Sequence, residues 1–118
     1  MKIENIYLNL SREEFIMENI IFKLISYSGE AKSFSMESIA HAKTGNFEEA
    51  EKCLQLADKS LEEAHKEQTK LIQSEARNEK IEITLLMVHA QDHLMNAITV
   101  RDLAIEFVDM YKKVSSNN

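Results

Sequence analysis

The sequence predicts an all-α fold, an antiparallel up-down-up bundle of three long helices. Three observations predict it. The 118 residues contain no proline and only two glycines, Gly29 and Gly45, too few turn formers for an all-β or α/β chain. Apolar residues recur at steps of three and four through most of the length. Only two short stretches, "KTGNFEE" and "RNEKIE", interrupt that period. Short connections force neighbouring helices to run antiparallel.

Residues 1–10 carry no helical period and are expected to form a flexible tail. The first helix then opens at "SREE", where Ser11 and Glu14 have the spacing of a capping box. It continues to about Lys43, with Ile21, Leu24, Ile25, Ser28, Ala31, Ser35, Ile39 and Ala42 inward. Gly29 costs about 1 kcal/mol against alanine inside a helix. With Ser28 and Ala31 it forms a small-residue patch that another helix can approach.

Gly45 suits the position just past that helix. Asn46 is placed to cap the second helix, with Glu49 three residues on. This helix runs to about Arg77 on a seam of Ala50, Leu54, Ala57, Leu61, Ala64, Gln68 and Leu71. Cys53 lies beside the seam and reads as a small buried hydrophobe. Thr84 then caps a third helix over about 84–113, and residues 114–118 form a frayed polar tail.

The third helix is unusual. Leu86, Ala90, Ala97, Val100, Ala104, Phe107 and Tyr111 form one apolar stripe, widened by Met87, Leu94, Ile98 and Ile105. A second seam follows Leu85, Asp92, Asn96, Thr99, Leu103 and Met110. A helix apolar around most of its girth is buried around most of its girth. A three-helix monomer cannot achieve that, so other subunits are expected to cover the second seam. If the seam follows a symmetry axis, copies of Asp92 meet there. Adjacent carboxylates resist joint ionisation, so a proton or a hard divalent cation such as Mg²⁺ must relieve them. A solvated surface aspartate is the plainer reading.

The chain reads as one domain. Its net charge of −6 argues against nucleic acid or an anionic membrane as the main partner. No apolar run approaches the roughly 20 residues of a membrane span. The opening residues lack the apolar centre of a signal peptide. A single cysteine excludes an internal disulfide, so a reducing cytoplasm is expected.

Chemistry concentrates in "LLMVHAQDHLMNAI", residues 85–98. His89 and His93 share a helix face at a spacing of four. That suits zinc if Asp92 or His65 completes a site. That spacing arises often by chance, and ordinary hydrogen-bonded histidines are the plainer reading. A neutral imidazole is also a good nucleophile near pH 7 and can accept a phosphoryl group. Gln91 is near in sequence but points well away around the helix. No GxxxxGK[ST] motif is present, so phosphate would have to come from another protein.

Four segments carry a resemblance: "YSGEAKS", "AKTGNFEEAE", "AHKEQTKLIQSEA" and "LLMVHAQDHLMNAITVRDLA". From about Ile21 to Lys112 the chain closely resembles the lactose/cellobiose-type IIA component of the bacterial phosphotransferase sugar-uptake system, including its N,N′-diacetylchitobiose members. The resemblance implies a homotrimer of three-helix subunits, a nine-helix bundle. It implies that His89 accepts phosphate from the histidine-containing phosphocarrier protein and passes it to a cysteine of the IIB component. IIB would phosphorylate a disaccharide entering through the membrane IIC component. It implies that Asp92 lies on the threefold axis with a metal ion, and gives Gln91 and His93 supporting roles. His65 matches "AHxxQT", where Gln68 and Thr69 are structural, and His41 reads as an exposed helix residue. Val88 and Met95 project toward the polar side as docking candidates. The alternative is a metal-stabilised structural oligomer without transfer activity. A two-component histidine-phosphotransfer domain is more distant, since its HxxKG surroundings are missing.

Overall fold

The polar breaks in the sequence become a tight turn over 44–46 and a longer irregular connection over 77–84 between three long helices. The computed structural model describes residues 11–117, nearly all of them helix apart from the two connections. The expected tail over 1–10 lies outside these residues. Helix α1 spans Arg12–Lys43, α2 Phe47–Ala76 and α3 Leu85–Ser116. At 1.5 Å per residue each is roughly 45–48 Å long. The third helix continues about three residues past the end that the sequence indicates.

Each boundary has a chemical cause. Ser11 Oγ accepts from Glu14 N–H at 3.1 Å while Glu14 Oε2 accepts from Ser11 N–H at 3.1 Å, so the capping box forms. At the end of α1 the Gly45 N–H donates to Ala42 C=O and the Asn46 N–H to His41 C=O. This pair of bonds requires a left-handed residue between them, and Gly45 supplies it at φ 81°. The same closure ends α2, with Asn78 at φ 58° and bonds from Asn78 to Glu75 and Glu79 to Ser74.

Asn46 departs from the expected role. It occupies the cap position of α2, but its side chain makes no cap bond. Its Nδ2 instead donates to Thr44 Oγ1 at 3.2 Å, and Glu49 pairs with Lys52. Its ψ of 66° is not the extended conformation that aims a capping side chain back at the helix. Residue 46 already closes the turn behind it, so two duties compete for one backbone.

Two apolar clusters show the topology. One joins Ile20, Ile21 and Leu24 to Leu71 near the end of α2 and to Met87, Ala90 and Leu94 near the start of α3. The other joins Ala42, Ala50 and Leu54 to Ala104 and Val108. Helix α1 therefore runs antiparallel to α2 and parallel to α3. It packs extensively on both, while α2 and α3 touch each other much less. Between the clusters α1 presents small residues, Ser28, Ala31, Ser35 and Ser38, all buried. Ser35 Oγ donates to Ala31 C=O at 2.7 Å and Ser38 Oγ to Ser35 C=O at 2.6 Å. These two hydroxyls satisfy themselves on their own helix, whereas the buried Ser28 Oγ has no hydrogen-bond partner among the described residues.

The inward faces of α1 and α2 agree with the sequence pattern. That of α3 is rotated. Its buried line is Met87, Ala90, Leu94, Ala97, Ala104 and Val108. Leu86 and Phe107, expected inside, are 41% and 43% exposed, and Val100 is half-buried. Gly29 also differs, because nothing lies within 4 Å of a Cβ built there. Within one chain the neighbouring helices cover Ser28 and Ala31, and the Gly29 side of the patch stays open.

Candidate functional site

The residues of "VHAQDH" divide according to the helical angle. Ala90 points into the core. Gln91, 100° further round, is half-buried and faces α2, where its Oε1 accepts from Gln68 Nε2 at 2.9 Å. His89 and Asp92 lie on the exposed side, and His93 is half-buried. Thr84 starts the helix by accepting from Met87 N–H through its hydroxyl at 3.2 Å. His89 falls beyond the first turn, where the helix dipole has faded.

His89 and His93 touch. Their Nε2 atoms are 3.0 Å apart and their rings meet edge to face, centroids 4.5 Å apart and planes at 86°. Two neutral imidazoles hold this contact only if one Nε2 carries the proton and the other offers its lone pair. With His93 as donor, His89 keeps its own proton on Nδ1, and its Nε2 lone pair accepts the bond from His93. The fourth-residue spacing thus couples the tautomers of the two rings, one protonated on Nε2 and the other on Nδ1.

An open hollow of about 430 Å³ adjoins the pair, lined by Leu85, Leu86, Val88, His89 and Asp92. Its wall is mostly apolar, so an incoming group would be partly desolvated beside the imidazole. The hollow heads a longer apolar strip along α3. Leu103, Phe107, Met110 and Val114 continue it, each 43–55% exposed. The second seam expected from the sequence is therefore uncovered in the single chain, and it includes Phe107.

The remaining candidates separate. Gln91 is not brought to His89 within one chain; it ties α3 to α2. His65 is exposed, and its carbonyl accepts from Thr69 Oγ1 at 2.8 Å. The zinc reading of His89 and His93 lacks a third ligand, since among the described residues no group of three donors forms around them. Asp92 likewise gathers no second and third donor in one chain. Met95 and Val88 are exposed, 49% and 47%.

Gln68, on the inward seam of α2, adds a polar link between the histidine-bearing turn of α3 and α2, beside the apolar cluster that joins them. Two further ties lie toward the other end. Arg101 Nε is 2.7 Å from Asp58 Oδ1, off the line of a hydrogen bond, and Lys112 pairs with Glu51. Among the described residues no helix is long and apolar enough to cross a membrane.

This arrangement matches known proteins. The family model described as the lactose/cellobiose-specific IIA subunit of the PTS system matches residues 19–112. The lichenan-specific phosphotransferase enzyme IIA component of Bacillus subtilis strain 168 is 57% identical over 99 residues, which cover 84% of this chain and 90% of that protein. The N,N′-diacetylchitobiose-specific EIIA component of Escherichia coli K12 is 36% identical over 100 residues, 85% and 86% of the two chains. Among solved structures, the cellobiose-specific enzyme IIA from Bacillus anthracis superposes with a TM-score of 0.87 at 49% identity, covering 95% of this chain and 99% of that one. The IIA(chitobiose) of Escherichia coli, solved in complex with HPr, gives 0.74 at 35% identity over 84% and 96%.

Proposed function

Because the chain belongs to the lactose/cellobiose-specific IIA family of the phosphotransferase system, we propose that it carries phosphate on His89 from the histidine-containing phosphocarrier protein to a cysteine of a IIB component. The observation that carries this reading is the exposed His89–His93 pair, Nε2 to Nε2 3.0 Å, beside an apolar hollow. The similar chitobiose protein, solved with HPr, supports the choice of donor. The IIB and membrane IIC partners are part of this proposal, and family membership supports them.

The chemistry needs little from the protein beyond placement. Phosphoryl transfer is governed by positioning and by electrostatic stabilisation of spread charge. His93 holds the neutral His89 tautomer until a donor phosphohistidine docks. The His89 lone pair then forms the new N–P bond as the donor's N–P bond breaks, and the donor imidazole departs with that electron pair. The His93 N–H, released from His89, turns to a phosphoryl oxygen. A charge-assisted bond of this kind is stronger than the neutral one it replaces. Transfer to IIB reverses the sequence, with a cysteine thiolate as acceptor.

A homotrimer completes the picture. The strip from Leu85 to Val114 exposes large apolar side chains at both ends, with Asp92, Asn96 and Thr99 between them, more than a monomer surface ordinarily leaves in one line, and three copies packed along it would give a nine-helix bundle. Asp92 lies on the same side of α3. One chain offers a cation only one carboxylate there, whereas three copies would offer oxygens alone, the donor set that suits Mg²⁺. When bound, such an ion would neutralise charge on the axis; the His89 chemistry does not pass through it.

The test is labelling with phosphoenolpyruvate and the general phosphotransferase proteins. One acid-labile phosphoryl group per chain is expected, absent from His89→Ala and retained in His65→Ala. Full labelling of His89→Ala would contradict the assignment. Metal-dependent assembly without any labelling would favour a purely structural oligomer instead.

A further inference from the structure

Three side chains unused by the phosphoryl site converge near the α1–α2 turn. Glu37 and His41 lie one turn apart on α1, with Oε1 and Nε2 3.8 Å from each other. Cys53 approaches from α2. A carboxylate oxygen, an imidazole nitrogen and the thiol sulfur all lie within 4.8 Å of one another. The closed turn at Thr44–Asn46 folds α2 back so that a residue twelve positions on faces His41. We propose that Glu37, His41 and Cys53 form a binding site for a borderline-soft divalent cation of the Zn²⁺ class.

The donor set selects the ion. Sulfur and imidazole together disfavour Mg²⁺ and Ca²⁺ and suit Zn²⁺ or Co²⁺. Two ligands at i and i+4 on one helix with a third from a neighbour is a workable tetrahedral arrangement that leaves the fourth position to water. Zinc bonds of about 2.0–2.3 Å hold tetrahedral donors about 3.3–3.8 Å apart. The Glu37–His41 pair already meets that separation. The separations to Cys53, none above 4.8 Å, close by small side-chain rotations of Glu37, which is exposed, and of His41, which is half-buried. Cys53 is 6% exposed, so the sulfur is the fixed donor to which the other two adjust.

Charge also balances. In the metal-free chain, burial and then the nearby Glu37 and Glu49 hold the Cys53 thiol above its ordinary value, so it is protonated. On binding, the S–H bond breaks, the sulfur lone pair forms the metal bond and the proton passes to solvent. Thiolate and carboxylate then carry two negative charges against the two positive charges of the ion. The site is distinct from the histidine pair. It adjoins the cluster containing Ala104 and Val108, roughly 25 Å along α3 from His89 at 1.5 Å per residue. Its effect is to clamp α1 to α2 beside the turn that joins them, stabilising the folded chain by mass action.

The full chain, reduced with a phosphine and stripped of metal, is titrated with Co²⁺ and then Zn²⁺. One Co²⁺ per chain should give a thiolate-to-cobalt charge-transfer band that equimolar Zn²⁺ removes. His41→Ala and Glu37→Gln, both on the surface of α1, should each weaken binding by more than about 100-fold, beyond the cost of losing an outer-shell partner. Asp92→Asn should leave the band intact, which separates this site from an axial ion. Absence of the band in the folded parent protein overturns the proposal. So does a binding curve indifferent to both His41→Ala and Glu37→Gln.

Discussion

Truncating Leu103 to alanine tests whether the strip on α3 is a subunit interface. Leu103 is 53% exposed in the single chain, so about half of its side chain remains to be buried by another copy. Full burial of a leucine contributes roughly 1.5–3 kcal/mol, and half of that is about 0.8–1.5 kcal/mol per subunit. Three symmetry-related copies lose about 2–4 kcal/mol per trimer after allowing for the methyl that alanine retains. At 1.4 kcal/mol per decade the trimer dissociation constant rises roughly 30- to 1,000-fold. That constant has units of concentration squared, so the midpoint concentration shifts about 5- to 30-fold. Sedimentation velocity over a dilution series measures this midpoint. The monomer fold should be spared, because an exposed position changes stability by no more than about 0.5 kcal/mol. A parent protein that sediments as a monomer at every concentration, or a Leu103→Ala midpoint that does not move, would refute the interface.

Four further outcomes follow from the geometry. Leu94→Ala, at a position with no exposed surface, should cost about 3–5 kcal/mol in urea unfolding; a loss under 1 kcal/mol would mean that this core is loosely packed. Gly29→Ala should stabilise by roughly 0.5–1 kcal/mol, since its Cβ meets open space, whereas Gly45→Ala, at φ 81°, should destabilise by about 1 kcal/mol; equal signs would contradict the turn geometry. His93→Ala should slow phosphate uptake roughly ten- to 100-fold, the worth of a hydrogen bond to a charged group, while unfolding stability stays within about 0.5 kcal/mol; an unchanged rate would remove His93 from the mechanism. Gln68→Ala should raise amide exchange at the start of α3, because it breaks the 2.9 Å bond to Gln91; unchanged exchange would show that apolar contacts alone hold that turn.

The legible parts of the sequence were local. Ser11 and Glu14 announce a helix start because both hydrogen bonds lie within four residues, and Gly45 announces a turn because few residues adopt positive φ. The inward faces of α1 and α2 are legible because each has one apolar stripe. On α3 two stripes overlap, one facing the core and one left outside, so the projection drew Leu86 and Phe107 inward and missed Val108. The Asn46 cap failed because one residue closes one helix while opening the next. The histidine pair was legible from its spacing of four. The Gln68–Gln91 bond and the Glu37–His41–Cys53 group were not, since both depend on the register between helices. Asn78 carried a signal that could have been used, because asparagine tolerates the left-handed conformation.

The most direct measurement is rapid-quench mass spectrometry of chain labelled beforehand by the general phosphotransferase proteins and then mixed with a IIB component. The account predicts that phosphate leaves residue 89 at the rate at which it appears on the IIB cysteine. Phosphate reaching IIB at full speed while residue 89 stays unmodified throughout would contradict it.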